Sequence, residues 1–154
     1  MIRPREGHDG ATPSANAVAA RALARLAVHL GEPSLADDAR RALEAWGAAI
    51  AAQPRAFPTS LMTLEFLQQG PTELAFIGPD GPARRALERA VAEHFVPHVV
   101  AAHHDPAGGP TDLPLLHGKA TVDGAPALYV CRNYACQRPV TRAEEVGAEV
   151  TGER

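Results

Sequence analysis

The sequence is poor in lysine, aromatic residues and cysteine, and these shortages exclude several classes of protein. Lys119 is the only lysine among 154 residues, aromatic residues make up 5% of the chain, and there are two cysteines. The formal net charge of -3 provides no electrostatic attraction for nucleic acid. The chain contains no apolar run long enough to span a membrane, and its first residues lack the apolar segment of a secretory signal. We therefore expect no nucleic-acid partner, no membrane association and a cytoplasmic location with reduced thiols.

The residues that are abundant indicate a mixed α+β fold. Apolar residues make up 45% of the chain, and many of them are alanine, which favours helix but buries little area. Residues 1–154 fit one domain, or a fragment of a larger one. Helical patterning covers residues 12–70, and strand patterning dominates residues 71–141. We expect these two parts to pack together.

Three helices are predicted in the first part. Thr12 is a suitable N-cap for the first, with Pro13 in the first helical position. The second covers residues 34–52 and forms a hairpin with the first, and the third covers residues 59–69. In the first helix, a broad apolar face is shared by Val18, Leu23, Leu26 and Leu30, with alanines between them. In the third, the predicted inner edge consists of Leu61, Leu64 and Leu67.

A strand–helix–strand unit is predicted in the second part. Residues 73–77 and 98–103 are short apolar runs typical of buried strands, and residues 82–95 between them have helical spacing. Two strands joined in this way lie parallel, with a right-handed crossover. Residues 127–131 predict a third strand, and a short or frayed helix follows Arg142.

The two cysteines, Cys131 and Cys136, allow two interpretations. On one continuous strand their odd spacing would place them on opposite faces, so the chain must turn between them if they are to meet. Asparagine, which tolerates turns, is present at position 133. If they meet, they form a redox or metal-binding thiol pair. Alternatively, they are two small buried side chains with a structural role, and we favour this interpretation. A zinc site needs about four ligands, and we expect neither a metal nor a cofactor.

Other candidate residues also have simple structural explanations. His103 and His104 lie at a predicted strand end, where ligand sites of α/β proteins often occur, but neighbours on a strand point to opposite faces. The glycine-rich segment 78–81 precedes a helix but lacks a phosphate-binding pattern. Neither Ser14 nor Ser60 lies in the sequence context of a hydrolase nucleophile.

Two segments in this order resemble a known family. The first is DGATPSANAVAA at residues 9–20. The second comprises Gly118-Lys119, Val122-Asp123-Gly124 and ALYVCRNYACQRPVT at residues 127–141. They are similar to the C-terminal end of the spermatogenesis-associated, thioredoxin-domain-containing protein family. Its members carry a thioredoxin-like domain followed by an α/α barrel like those of six-hairpin glycosidases and sugar epimerases. The resemblance covers nearly the whole chain but only about the last quarter of a typical member. The thioredoxin domain has no counterpart here, and Arg132 replaces a residue that is usually acidic.

The resemblance implies that residues 12–70 form the end of an α/α barrel and that the chain is a structural or interaction portion of a larger protein. The alternative is part of a carbohydrate-active cleft, epimerase-, isomerase- or glycosidase-like, with Asp9, Ser14 and Asn16 contacting substrate. Capping and loop fixation by these three residues is the interpretation we favour. Whether the chain belongs to an enzyme is left open. With the rest of the ring missing, we expect an exposed apolar patch and pairing with itself or with a separately encoded barrel or thioredoxin portion.

Overall fold

The computed structural model describes residues 6–133 and 135–152. The chain divides into two compact units, Met1–Gly70 and Pro71–Arg154, called here the helical unit and the sheet unit. In the described ranges there are six α-helices and one four-stranded mixed sheet. The fold is therefore α+β, as predicted.

The helical unit contains four α-helices whose ends follow local sequence signals. They are α1 (Ala15–Leu30), α2 (Pro33–Glu44), α3 (Gly47–Ala52) and α4 (Pro58–Gln69). Proline occupies the first helical position of α2 and α4, where its missing N–H costs nothing. Gly31 ends α1 in the left-handed conformation, with φ 65°, which glycine adopts without steric cost. Helix α1 packs against both α2 and α4.

The buried face of α1 differs from the predicted one. Ser14, and not Thr12, is the N-cap, and its Oγ accepts a hydrogen bond from the Ala17 N–H. The buried residues of the helix are all alanines: Ala17, Ala20, Ala24 and Ala27. Val18, Leu26 and Leu30 are 49%, 44% and 45% exposed. The alanines of the predicted broad face are therefore buried and three of its four larger side chains are exposed, because small side chains let the packed helix axes approach more closely than leucine would.

The predicted second helix is interrupted at Trp46. Helix α2 ends at Glu44 and α3 begins at Gly47, and Trp46 between them leaves helical geometry with ψ near 5°. The indole packs on Phe57 with ring centroids 6.4 Å apart. A Cβ on Gly7 would lie 2.2 Å from the Trp46 ring, so this site requires glycine. Aromatic packing here outweighs continuation of a helix that Gly47 already weakens.

Helix α4 also buries a different face from the one expected. Its buried residues are Ser60, Thr63 and Phe66, while Leu61 is 38% and Met62 is 49% exposed. The Thr63 hydroxyl donates to the Thr59 carbonyl at 2.9 Å, and this bond removes the cost of burying it. The predicted inner edge is therefore wrong at Leu61.

The sheet unit is built around a central strand. Its strands are β1 (Thr72–Ile77), β2 (Val99–His104), β3 (Ala127–Arg132) and β4 (Ala135–Cys136), in the spatial order β2-β1-β3-β4. Its helices are α5 (Pro82–Ala92) and α6 (Val146–Thr151). Strands β1 and β2 are parallel, as predicted, whereas β3 is antiparallel to both β1 and β4. The sequence did not predict β4.

One face of the sheet carries the apolar core shared with α5 and α6. Leu74 and Phe76 of β1 lie in this core beside Leu128 and Val130 of β3. Helix α5 contributes Leu87, and α6 contributes Val146 and Val150. Arg132 at the end of β3 donates hydrogen bonds to the carbonyls of Glu149 and Val150. A cation at the C-terminus of a helix stabilises it, so this arginine holds α6 in place.

We predict that Ala20→Leu in α1 lowers the free energy of unfolding by about 1–3 kcal/mol, because Ala20 is fully buried and a packed core does not accept a larger side chain without strain. Ala22→Leu is the matched control, since Ala22 is exposed on the same helix and the change there stays within about 0.5 kcal/mol. Urea denaturation followed by circular dichroism measures both. Equal effects of the two variants would contradict the alanine packing.

Candidate functional site

Asp9 joins the N-termini of two helices in the helical unit. One carboxylate oxygen accepts from the Ser14 N–H at 2.7 Å and the other accepts from the Thr59 N–H at 2.7 Å. Burial alone would raise the pKa of Asp9, but these backbone hydrogen bonds outweigh it and the pKa is lowered. Asp9 thus accepts hydrogen bonds at the N-termini of both α1 and α4, although fifty positions separate it from Thr59.

The other two predicted substrate contacts are also engaged within the helical unit. The Ser14 Oγ donates to the Glu6 carbonyl at 3.0 Å, and the residue is 5% exposed. The Asn16 amide nitrogen donates to the Ala42 carbonyl at 3.1 Å, which ties α1 to α2. The structure therefore places Asp9, Ser14 and Asn16 together at the start of α1, each with an internal partner. Their contact with a substrate stays a prediction.

A charged network lies at the carboxyl end of the parallel strand pair. Glu88 of α5 lies 3.2 Å from His103 Nε2 and 3.0 Å from Arg84 Nε. Asp80, in the loop after β1, binds Arg85 in bidentate fashion, with both N–O distances at 2.9 Å. These bonds from Arg85 lower the pKa of Asp80. The Arg85–Asp80 pair is exposed, where such pairs stabilise little, whereas the Arg84 side chain is 13% exposed.

His103 and His104 do not form a joint site. The His103 ring stacks on Phe76, with centroids 4.9 Å apart and planes 10° from parallel. Phe76 belongs to the core face shared with α5 and α6, and strand alternation directs His104 to the opposite face. This agrees with the sequence expectation for adjacent histidines on a strand.

The two cysteines are bonded to each other. The chain turns at Asn133, which has φ 50°, and β4 then runs back along β3 so that Cys136 lies directly opposite Cys131. Their sulfurs are 2.08 Å apart, a disulfide. Cys131 is 2% exposed, while Cys136 is exposed. The expectation of two buried free thiols is therefore corrected in two ways: the sulfurs are bonded, and only one of the two residues is buried.

Glu73 and Lys119 form a second pair of ionisable groups in the sheet unit, one that the sequence reasoning did not single out. Glu73 lies in β1 opposite Cys131 of β3, and burial raises the pKa of its carboxyl, with the Lys119 charge opposing this shift. Burial likewise lowers the pKa of Lys119, with Glu73 opposing. A glutamate inside an apolar strand run is the signal that would have identified it, since carboxylates are rarely buried without a partner.

Exposed apolar side chains are concentrated on two helices of the helical unit. Val18, Leu26 and Leu30 lie at four- and eight-residue intervals along α1, which places them in one row. Leu61 and Met62 are exposed on α4, and α1 packs against α4. We call Val18, Leu26 and Leu30 the apolar row. In the described part of the chain, no helix is long and apolar enough to cross a membrane.

Comparison with known proteins identifies relatives of this chain. It is 31% identical to spermatogenesis-associated protein 20 of Mus musculus over 144 residues. The aligned region covers 91% of this chain and 18% of the mouse protein. The chain is homologous to spermatogenesis-associated protein 20. The human protein of that name is 30% identical over 145 residues, again with 91% and 18% covered, so this chain spans about a fifth of the length of these relatives. No protein-family profile and no solved structure matches the chain.

We predict that Asp9→Ala lowers the free energy of unfolding by about 2 kcal/mol, since two helix N-termini each lose a capping acceptor worth about 1 kcal/mol. The effect shrinks as the pH falls through the lowered pKa of Asp9, because a protonated carboxyl in the wild type no longer caps as an anion. Asp112→Ala removes a carboxylate that is exposed in a loop and serves as the control. Chemical denaturation at several pH values measures both, and equal losses for the two variants would exclude the double cap.

We predict that Glu73→Gln makes the protein more stable relative to the wild type at pH 7 than it does at pH 4. A raised folded-state pKa means that the folded wild type binds more protons than the unfolded chain above the ordinary glutamate pKa of about 4.3. The stability of the wild type therefore falls as the pH rises from that value to the pKa of Glu73 in the folded protein. The variant does not show this fall, because glutamine does not titrate. Thermal unfolding from pH 4 to pH 8 measures the difference, with Glu44→Gln on the exposed side of α2 as control. A difference that does not vary with pH would refute the raised pKa of Glu73.

Proposed function

We propose that this chain is the structural and interaction portion of an α/α-barrel protein, and that its helical unit packs on further helices through the apolar row. The observation that carries the proposal is the exposure of Val18, Leu26 and Leu30 in one row along α1. Contiguous exposed apolar side chains mark surfaces that bind another protein. The partner that covers the apolar row is a pair of helices from the rest of such a barrel.

The composition of the helical core supports this proposal. Alanines supply the whole buried face of α1, and burial of an alanine side chain removes little apolar area from water. Val18, Leu26 and Leu30 of α1 are exposed, so packing further helices on the apolar row would bury leucine and valine. Burial of a leucine or valine side chain removes more apolar surface from water than burial of an alanine does, at about 25 cal/mol per Å².

Homology supports the proposal from a second direction. The chain aligns with 18% of the mouse relative over nearly its own full length. An aligned segment of that size is compatible with a part of a larger fold. Asp9, Ser14 and Asn16 have internal hydrogen-bond partners, as the capping and loop-fixing roles require, and the carbohydrate-active cleft stays the alternative.

Photo-crosslinking in the cells that produce the protein tests the proposal. A photoreactive phenylalanine at Leu26 should give one discrete adduct, and mass spectrometry should map it to a helical segment of a barrel polypeptide. The same group at Arg40, on the exposed side of α2, should give none. Leu26→Glu should weaken recovery of that partner at least tenfold, because a carboxylate would be desolvated in the contact.

Two results would refute the barrel assignment. The first is the absence of any adduct specific to position 26. The second is an adduct only with a second copy of this chain, which would assign the apolar row to self-association. Sedimentation velocity of the purified chain from 1 to 100 µM distinguishes the second result, since a self-associating chain changes its sedimentation coefficient with concentration.

A further inference from the structure

A row of three residues crosses the sheet from its centre to β4. Glu73 of β1 is the register partner of Cys131 in β3, and Cys131 is the partner of Cys136 in β4. Side chains directly opposite on antiparallel strands lie on the same face, with Cβ atoms about 4.5–5.5 Å apart. The sheet therefore places a carboxyl beside the buried half of a disulfide.

The two cysteine residues differ in their exposure to solvent. Cys131 is 2% exposed and lies between two paired strands, whereas Cys136 is exposed in a strand of two residues. Thiol–disulfide exchange requires in-line approach of a thiolate to one sulfur, and access decides which sulfur is attacked. An incoming thiolate reaches Cys136, and Cys131 is then the leaving group.

A buried leaving group needs a proton. A thiolate in apolar surroundings is disfavoured, and burial raises its pKa. The groups on or near the same face of the sheet are Glu73, Lys119, Tyr129 and His104. The Tyr129 hydroxyl is bonded to the backbone of Ala120, donating to its carbonyl at 2.9 Å. Glu73 is the acid opposite Cys131, and burial holds its proton more tightly than in an ordinary glutamate.

We propose that Cys131–Cys136 is a redox-active disulfide that accepts two electrons from a dithiol, with Glu73 as the proton donor to Cys131. A thiolate of the dithiol attacks the Cys136 sulfur, forms a mixed disulfide and expels the Cys131 sulfur, which takes the proton of Glu73. The second thiol of the dithiol loses its proton and attacks the mixed disulfide on the dithiol's own sulfur. The dithiol leaves as a disulfide, and Cys136 leaves as a thiolate.

The order of attack is tested on the intact chain with a monothiol. Glutathione at limiting concentration, followed by acid quenching and alkylation, should leave glutathione on Cys136 and a free thiol on Cys131. Trypsin separates the two cysteines because Arg132 lies between them, so mass spectrometry assigns each adduct. Glutathione found on Cys131, or on both cysteines equally, would overturn the assigned order.

The role of Glu73 is tested by the rate of reduction with dithiothreitol under native conditions. Glu73→Gln should slow reduction of the bond at least tenfold, as expected for loss of a general acid, and Glu73→Asp should restore part of the rate. Glu93→Gln, an exposed glutamate of the same unit, should leave the rate unchanged. Near-ultraviolet circular dichroism verifies that each variant is folded.

Two outcomes would refute the proposal. Reduction that occurs only when denaturant unfolds the chain would make the bond purely structural. Equal rates for the wild type and Glu73→Gln would remove Glu73 from the reaction. If Glu73 only positions the strand, Glu73→Gln will change the free energy of unfolding and leave the rate of reduction of the folded protein unchanged. If Glu73 donates the proton, the rate of reduction will fall.

Discussion

The pairing of β1 on both of its edges is the constraint on which the sheet unit depends. Strand β1 has β2 on one side and β3 on the other, and Leu74 through Ile77 are all at most 3% exposed. A strand bonded on both sides cannot shift register without moving every side chain to the other face. Glu73 is consequently fixed on the face that also carries Cys131. The desolvation of its carboxyl follows from the backbone ladder, since the fixed strand cannot turn this side chain away from its neighbours.

The helical unit obeys a different constraint, which is how closely its helices approach. A face of four alanines on α1 brings the helices close together and leaves no room there for leucine. Three larger side chains of the same helix, Val18, Leu26 and Leu30, lie outside this alanine face and are about half exposed. Because alanines lie on one face of α1 and larger apolar side chains on another, the helices pack closely inside the unit and an apolar surface remains outside it.

Sequence reasoning succeeded where the signal is local. The bounds of β1, β2 and β3 lie within a residue of the predicted ones, because apolar runs ended by glycine, proline or charge define them. It did not show which apolar residues of α1 are buried, since alanines and leucines both satisfy helical periodicity and only packing decides between them. The double cap by Asp9 and the row from Glu73 to Cys136 depend on partners distant in sequence, and no local pattern encodes those contacts. Strand β4, with two residues, has no periodicity to detect.

The segment after β4 explains how the disulfide can open without loss of the hairpin. The Gln137 N–H donates to the Val130 carbonyl at 2.9 Å, and Leu128 and Val140 exchange two backbone hydrogen bonds of 2.8 and 2.9 Å. These bonds hold residues 137–140 against β3 independently of the two sulfurs. In the reduced form Cys136 therefore stays tethered close to Cys131, and bond formation between them is intramolecular, with the high effective concentration that such tethering gives. Opening and closing of the bond then involves the tip of the hairpin, while the core on the opposite face, around Leu74 and Val130, keeps its packing.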